Sequence, residues 1–202
     1  MPTLEQKSMD EKELENLRTR TDAKLRFAEV HLKELLALPG LSGDDFDRAH
    51  QESYLYHLLG AKDAFLLELN AYYQCGLPTT NLTSGKLWKA LQRVNRQSPE
   101  LKELYELEND ANSWLFHAKE MRDHSTHVSG VPRTFHVGGN DDGQVFLKNP
   151  KTMQEVTKHF TEDFKEWHKK MSLMLERLRC SAMVVYRSNN ALNTDAENTR
   201  AG

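Results

Sequence analysis

The chain has 202 residues, 38% of them hydrophobic and 28% charged, a composition that suits one soluble domain around a single core. Its 27 basic residues against 30 acidic ones leave a formal charge of −3, which excludes a broadly basic nucleic-acid-binding surface but leaves room for a local patch. Two cysteines, Cys75 and Cys180, are too few for a disulfide scaffold or a Cys-rich zinc site, whereas nine histidines are the one unusual count.

The first twenty residues contain no apolar stretch of the kind a secretory signal needs, and later apolar runs are broken within a few residues by Lys, Asp or Glu. A cytoplasmic protein with no membrane span is the expectation. Glycine and proline cluster at Pro39-Gly40, at Gly76-Leu77-Pro78 and from Gly130 to Pro150, and the runs between them have helical periodicity.

The first run, Asp10 to Leu38, places Leu14, Leu17, Thr21, Leu25, Ala28, Leu32 and Leu35 on one stripe. Residues 1–12 add little apolar surface and are expected to project. The second run, Asp44 to Gln74, has Ser42 or Asp44 as cap and is apolar around most of its circumference from Tyr54 to Tyr73, as a central helix is. The third, Thr83 to Gln97, is short, with Leu87, Leu91 and Val94 on one side and Lys86, Lys89, Arg93 and Arg96 on another. The fourth starts at Ser98-Pro99, a cap followed by proline at the first helical position, and is predicted to continue to Thr126. Its stripe is Leu101, Leu104, Glu108, Ala111, Leu115, Ala118, Arg122 and Ser125.

Two short β-prone segments, residues 134–137 and 144–147, flank Gly138-Gly139-Asn140-Asp141-Asp142-Gly143 and predict a hairpin. A last helix is predicted from Thr152 to about Tyr186, with Phe164, Trp167, Met171, Met174 and Leu178 on its apolar face. The polar residues 187–202 are expected to form a disordered tail. The fold class expected is therefore all-α: an antiparallel bundle of four to five helices in one domain over 1–186, with a small β-hairpin inserted before the last long helix.

Three histidines, His117, His124 and His127, fall within eleven residues of the fourth run, with Arg122 among them. Arg122 continues the core-facing stripe, so its guanidinium must find acceptors, face a cleft or enter an interface. A structural pairing with Glu52, Glu68 or Glu108 would also satisfy it. Guanidinium grips phosphate at two points, and imidazole moves protons near neutral pH. His127 lies five residues on, about 140° further round an ideal helix, at its C-terminal end.

Arg122-Asp123-His124-Ser125-Thr126-His127, near the end of a bundle helix, resembles the Arg-x4-6-His signature of the HEPN superfamily, in which Asn or Asp often follows the Arg. The same spacing at Arg26 and His31 falls in mid-helix with Phe27 after the Arg, and is read as accidental. The resemblance implies a metal-independent endoribonuclease without cofactor, working as a homodimer with a composite RNA site. By it, Arg122 binds the scissile phosphate, Asp123 accompanies it, and His127 is general acid and base. A defence or toxin role, with an antitoxin or other regulatory partner, belongs to the same implication. Ser129 stands where toxins of this type often carry a Tyr two residues after the His, so control by adenylylation is not implied.

Lys86, Lys89, Arg93 and Arg96, together with His124, are candidate RNA contacts. A non-catalytic module binding RNA, nucleotide or protein is the alternative function. A third reading makes His117, His124 and His127 ligands of a metal, with Glu120 or His57 completing the shell.

Overall fold

The computed structural model describes residues 11–38, 45–156 and 160–200. Six helices and one two-stranded hairpin follow in chain order: α1 (Glu11–Ala37), α2 (Asp45–Tyr72), α3 (Ser84–Arg93), α4 (Pro99–Asn109), α5 (Trp114–His127), β1 (Arg133–Phe135), β2 (Val145–Leu147) and α6 (Phe160–Arg200). The all-α bundle with a hairpin ahead of the last long helix is the architecture observed. The cap expected at Ser42 or Asp44 and residues 1–10 of the projecting segment lie outside the described residues.

α2 is the central element. Tyr54, Leu55, Leu58, Leu59, Phe65, Leu66 and Leu69 are all buried on it, which requires neighbours around most of its circumference. α1 lies antiparallel against it along its length, burying Thr21, Ala28, Leu32 and Leu35 from the predicted stripe. α5 and α6 cover other sides of α2, with Leu115, Ala118, Met121, Phe164, Met171 and Leu178 completing the core. The Tyr54 hydroxyl donates to the Phe164 carbonyl at 2.6 Å, and the two rings stack with centroids 4.5 Å apart.

Buried charges are paired across helices. Arg179 of α6 donates to both oxygens of the fully buried Glu68 at 3.0 Å and to Asp22 of α1 at 3.0 Å. Arg133 of β1 donates to the buried Asp47 at 2.9 Å and to Gln51 at 2.8 Å, which docks the hairpin on α2. β1 and β2 are antiparallel, with Thr134 opposite Phe146.

Two expectations are corrected. The predicted fourth helix is two helices, which raises the count to six. The Ser113 hydroxyl accepts from the Phe116 amide at 3.0 Å and caps α5, while Asp110 accepts from the Asn112 amide at 3.0 Å in the turn before it. The last helix starts later than Thr152, because the Asn149 side chain accepts from the amides of Lys151 and Thr152, at 2.9 and 3.1 Å. Val156 then bonds back to the Leu147 carbonyl at 2.9 Å, holding this stretch against the hairpin. At the other end the backbone of α6 is helical to Arg200.

Candidate functional site

Arg122 lies one turn after the buried Ala118 and faces α2, as the stripe predicts. Its Nε and Nη2 donate to one oxygen of Asp123, at 3.0 and 2.8 Å, and its Nη1 donates to Asp63 Oδ2 at 3.3 Å. The carboxylate across the helix interface is thus Asp63, not Glu52, Glu68 or Glu108. Asp63 Oδ1 lies 2.7 Å from the Lys62 ammonium, which also reaches Glu108 Oε1 at 2.5 Å. The second oxygen of Glu108 accepts from the Ser84 hydroxyl at the start of α3.

A chain of alternating charge therefore runs Glu108, Lys62, Asp63, Arg122, Asp123 through α4, α2 and α5. Burial pushes the Lys62 ammonium down, but Asp63 and Glu108 together more than reverse this and hold it above the usual lysine value. Lys62 is a structural cation, unsuited to act as a base. Arg122 differs from it. Its side chain is 23% exposed and it lines a surface cleft.

That cleft, of about 340 Å³, is walled by Arg20 and Lys24 of α1, by Tyr56, Gly60 and Asp63 of α2, by Arg122, and by the loop residues Thr79, Asn81 and Leu82. Three cations face one carboxylate, and that carboxylate is already paired. The Lys24 ammonium sits 4.9 Å from the centre of the Tyr56 ring, which is itself 56% exposed. The arrangement favours a compact anion such as a phosphate group, with an aromatic ring at its edge.

On the other side of the same loop, Lys86, Lys89 and Arg93 line a second groove of about 330 Å³ with Leu77, Pro78, Thr80 and Leu82. Lys86 Nζ donates to the Asn81 carbonyl at 2.6 Å, and Asn81 itself has a positive φ of 58°. Arg96 leaves the predicted stripe because α3 ends at Arg93. Its Nη1 donates to the Tyr73 carbonyl at 3.1 Å, just beyond the C-terminal end of α2.

His127 is the last residue of α5, is exposed, and is not among the residues lining the Arg122 cleft. The Ser125 and Thr126 hydroxyls donate to the Arg122 carbonyl at 3.0 and 2.8 Å and fix the final turn. His124 Nε2 lies 3.1 Å from Ser129 Oγ, closing the turn after the helix. Asp123 holds Arg122 in place and is engaged with it. Within one chain, then, Arg122 and Asp123 come together and His127 and His124 stand apart from them.

The residues of the metal reading are scattered. His117 Nδ1 lies 3.2 Å from the Asn149 amide nitrogen, and burial pushes that imidazole below its ordinary value. Glu120 pairs with Lys151 at 2.6 Å, and His57 lies against Phe27 and Tyr56 on the α1–α2 face. Among the described residues no group of three or more His, Cys, Asp or Glu is placed to hold a metal ion, and no helix is long and apolar enough to cross a membrane.

Sequence reasoning missed Arg20, Lys24, Tyr56 and Asp63. Arg20 and Lys24 are four apart on the polar side of α1, and Lys62-Asp63 interrupts an otherwise apolar helix. Those are the signals that mark them. The chain belongs to DUF6586, a family of unknown function, whose sequence model matches residues 14–183. No curated protein and no solved structure matches it.

Proposed function

We propose that this protein binds RNA. A backbone phosphate seats in the Arg122 cleft, and the strand continues over residues 79–82 to Lys86, Lys89 and Arg93. One observation carries the reading: cations from α1 and α5 converge on one side of a short loop, and cations from α3 line the other side. A single small anion needs only the first cluster; a polyanion uses both. The acidic net charge is compatible with this, because the contacts are local. Arg122 supplies the forked two-point grip, and Asp63 and Asp123 fix the fork before the ligand arrives.

The test is fluorescence anisotropy with a labelled RNA of about 20 nucleotides across a salt series. With about five phosphate contacts the slope of log K against log salt is about −3.5, at about −0.7 per contact on a single strand. Arg122→Ala and Lys89→Ala are each expected to weaken binding about tenfold and to reduce the slope by about 0.7. No binding by the wild-type protein, or binding indifferent to both substitutions, refutes the proposal.

A catalytic extension adds His127, and its exposure at the end of α5 is the observation that favours it. In the HEPN-like reading the Arg122 phosphate is met by His127 of a second copy, so the nuclease is a homodimer. An antitoxin or other regulatory partner belongs to this extension alone. The expected result is RNA cleavage without added metal, leaving 2′,3′-cyclic or 3′-phosphate ends, and its loss in His127→Ala. Absence of cleavage, or equal cleavage by that variant, removes the extension and leaves the binding proposal standing.

A further inference from the structure

Away from the cleft, three imidazoles meet between α1 and α2. His31 Nδ1 lies 3.1 Å from His50 Nδ1. His57, two turns beyond His50 on α2, stacks on the His31 ring with centroids 5.6 Å apart and planes only 6° from parallel. The Phe46 ring packs at 4.4 Å from His50, and the Phe27 ring at 5.3 Å from His57. All three histidines are half-buried, so the rings are held by packing yet reachable from solvent.

Two facing Nδ1 atoms satisfy each other only if one ring is protonated at Nδ1 and the other is not. The same placement has a second use. Two imidazole nitrogens held this close are also a donor pair for a transition-metal ion. Metal–imidazole bonds of about 2.0–2.1 Å, at angles from about 90° to 109°, place the two nitrogens about 2.9–3.4 Å apart. The observed 3.1 Å falls inside that span.

We propose that His31 and His50 form a two-histidine site for a borderline divalent transition-metal ion of the zinc class, with water completing the coordination shell. Imidazole selects zinc, copper and nickel over magnesium and calcium. His57 is a positioning residue: its parallel ring fixes the His31 ring plane. Among the described residues no third ligand joins the pair, so the site is open and exchangeable rather than a closed structural centre. A bound ion ties α1 to α2 near their connection and stabilises the folded chain. The residues are distinct from those of the RNA proposal, and the site stands or falls independently of it.

The test is calorimetric titration of metal-stripped protein with zinc chloride, with magnesium chloride as control. One zinc ion is expected per chain, with no magnesium binding. Affinity should fall at least tenfold in His31→Gln and in His50→Gln and stay unchanged in His117→Gln. Zinc should raise the melting temperature of the wild type but of neither ligand variant. In the unmutated protein, zinc should move the ring-proton resonances of His31 and His50 first, which keeps the test valid if a variant folds poorly. No zinc binding means that the pair shares only a proton. Equal zinc binding in His50→Gln, or first shifts at other histidines, means adventitious binding; either result overturns the proposal.

Discussion

Replacing Lys62 by methionine keeps the length of the side chain and removes the cation at the centre of the charge chain. Lys62 and Glu108 are only 10% and 11% exposed, whereas Asp63 is 50% exposed and retains Arg122. The penalty therefore falls on Glu108, left with the Ser84 hydroxyl alone. Breaking one side of a buried ion pair costs about 3–5 kcal/mol. A stranded carboxylate escapes by taking up a proton. From an ordinary glutamate value of about 4.3, this limits the charge penalty to roughly 3.7 kcal/mol at pH 7 and to about 1 kcal/mol at pH 5. The expected loss at pH 7 is thus about 2–4 kcal/mol, or roughly 4–16 °C in melting temperature for a domain of this size. Urea denaturation at both pH values measures it. The sign is fixed: the variant's stranded carboxyl titrates higher in the folded than in the unfolded chain, so the gap to wild type narrows as pH falls. Lys62→Met with Glu108→Gln should recover more than 1 kcal/mol relative to Lys62→Met alone at pH 7. A loss below about 1 kcal/mol, or one that does not change with pH, refutes the assignment of Lys62 as the counter-charge of a buried carboxylate.

Two further predictions concern groups set by burial. Burial is the first cause that lowers the pKa values of His31, His57 and His117, with the neighbouring His50 adding to it at His31 and Lys24 at His57. Each contributes stability that is present above the unfolded value of about 6.5 and lost as pH falls through the lower folded value. Metal-free protein should melt at a lower temperature at pH 5.5 than at pH 7.5, and His57→Gln with His117→Gln should flatten that dependence; an unchanged slope refutes it. Burial also pushes the Cys75 thiol up to about 11, while Cys180 is exposed. Iodoacetamide at pH 8 should alkylate Cys180 first by peptide mass, and preferential labelling of Cys75 would contradict this environment.

Much of the fold is visible in the sequence because the amphipathic stripes are regular. The α1 stripe, the apolar circumference of α2, the Ser98-Pro99 start and the glycine-rich hairpin each state a local preference that the tertiary fold keeps. The break between α4 and α5 does not show, because Leu101, Leu104, Leu115 and Ala118 stay in register across it and all are buried. Only Asp110-Ala111-Asn112-Ser113 betrays it, through side chains that compete with helical hydrogen bonding. The site is less legible still. That Arg122 faces a neighbour follows from its spacing, but that the neighbour is Asp63 depends on how α5 is rotated against α2. The meeting of His31, His50 and His57 likewise depends on the axial register of α1 on α2, which no local pattern encodes.

That dependence on register bears on how Arg122 is to be understood. A buried arginine held only for stability would resemble Arg179, whose guanidinium is spent on Glu68 and Asp22. Arg122 instead binds two carboxylates that are each partly exposed, and it shares its cleft with Arg20 and Lys24. Three cations converging on one carboxylate repel one another, and that repulsion is relieved by an anion. The charge chain from Glu108 to Asp63 sets the position of one of the three, so a change at Lys62 is expected to reach the cleft as well as the core. If Lys62→Met lowers stability as argued and also alters RNA affinity at matched folded protein, the two are linked through Asp63. If affinity stays unchanged, the cleft is positioned by α1 and α5 alone, and the ion chain serves the fold only.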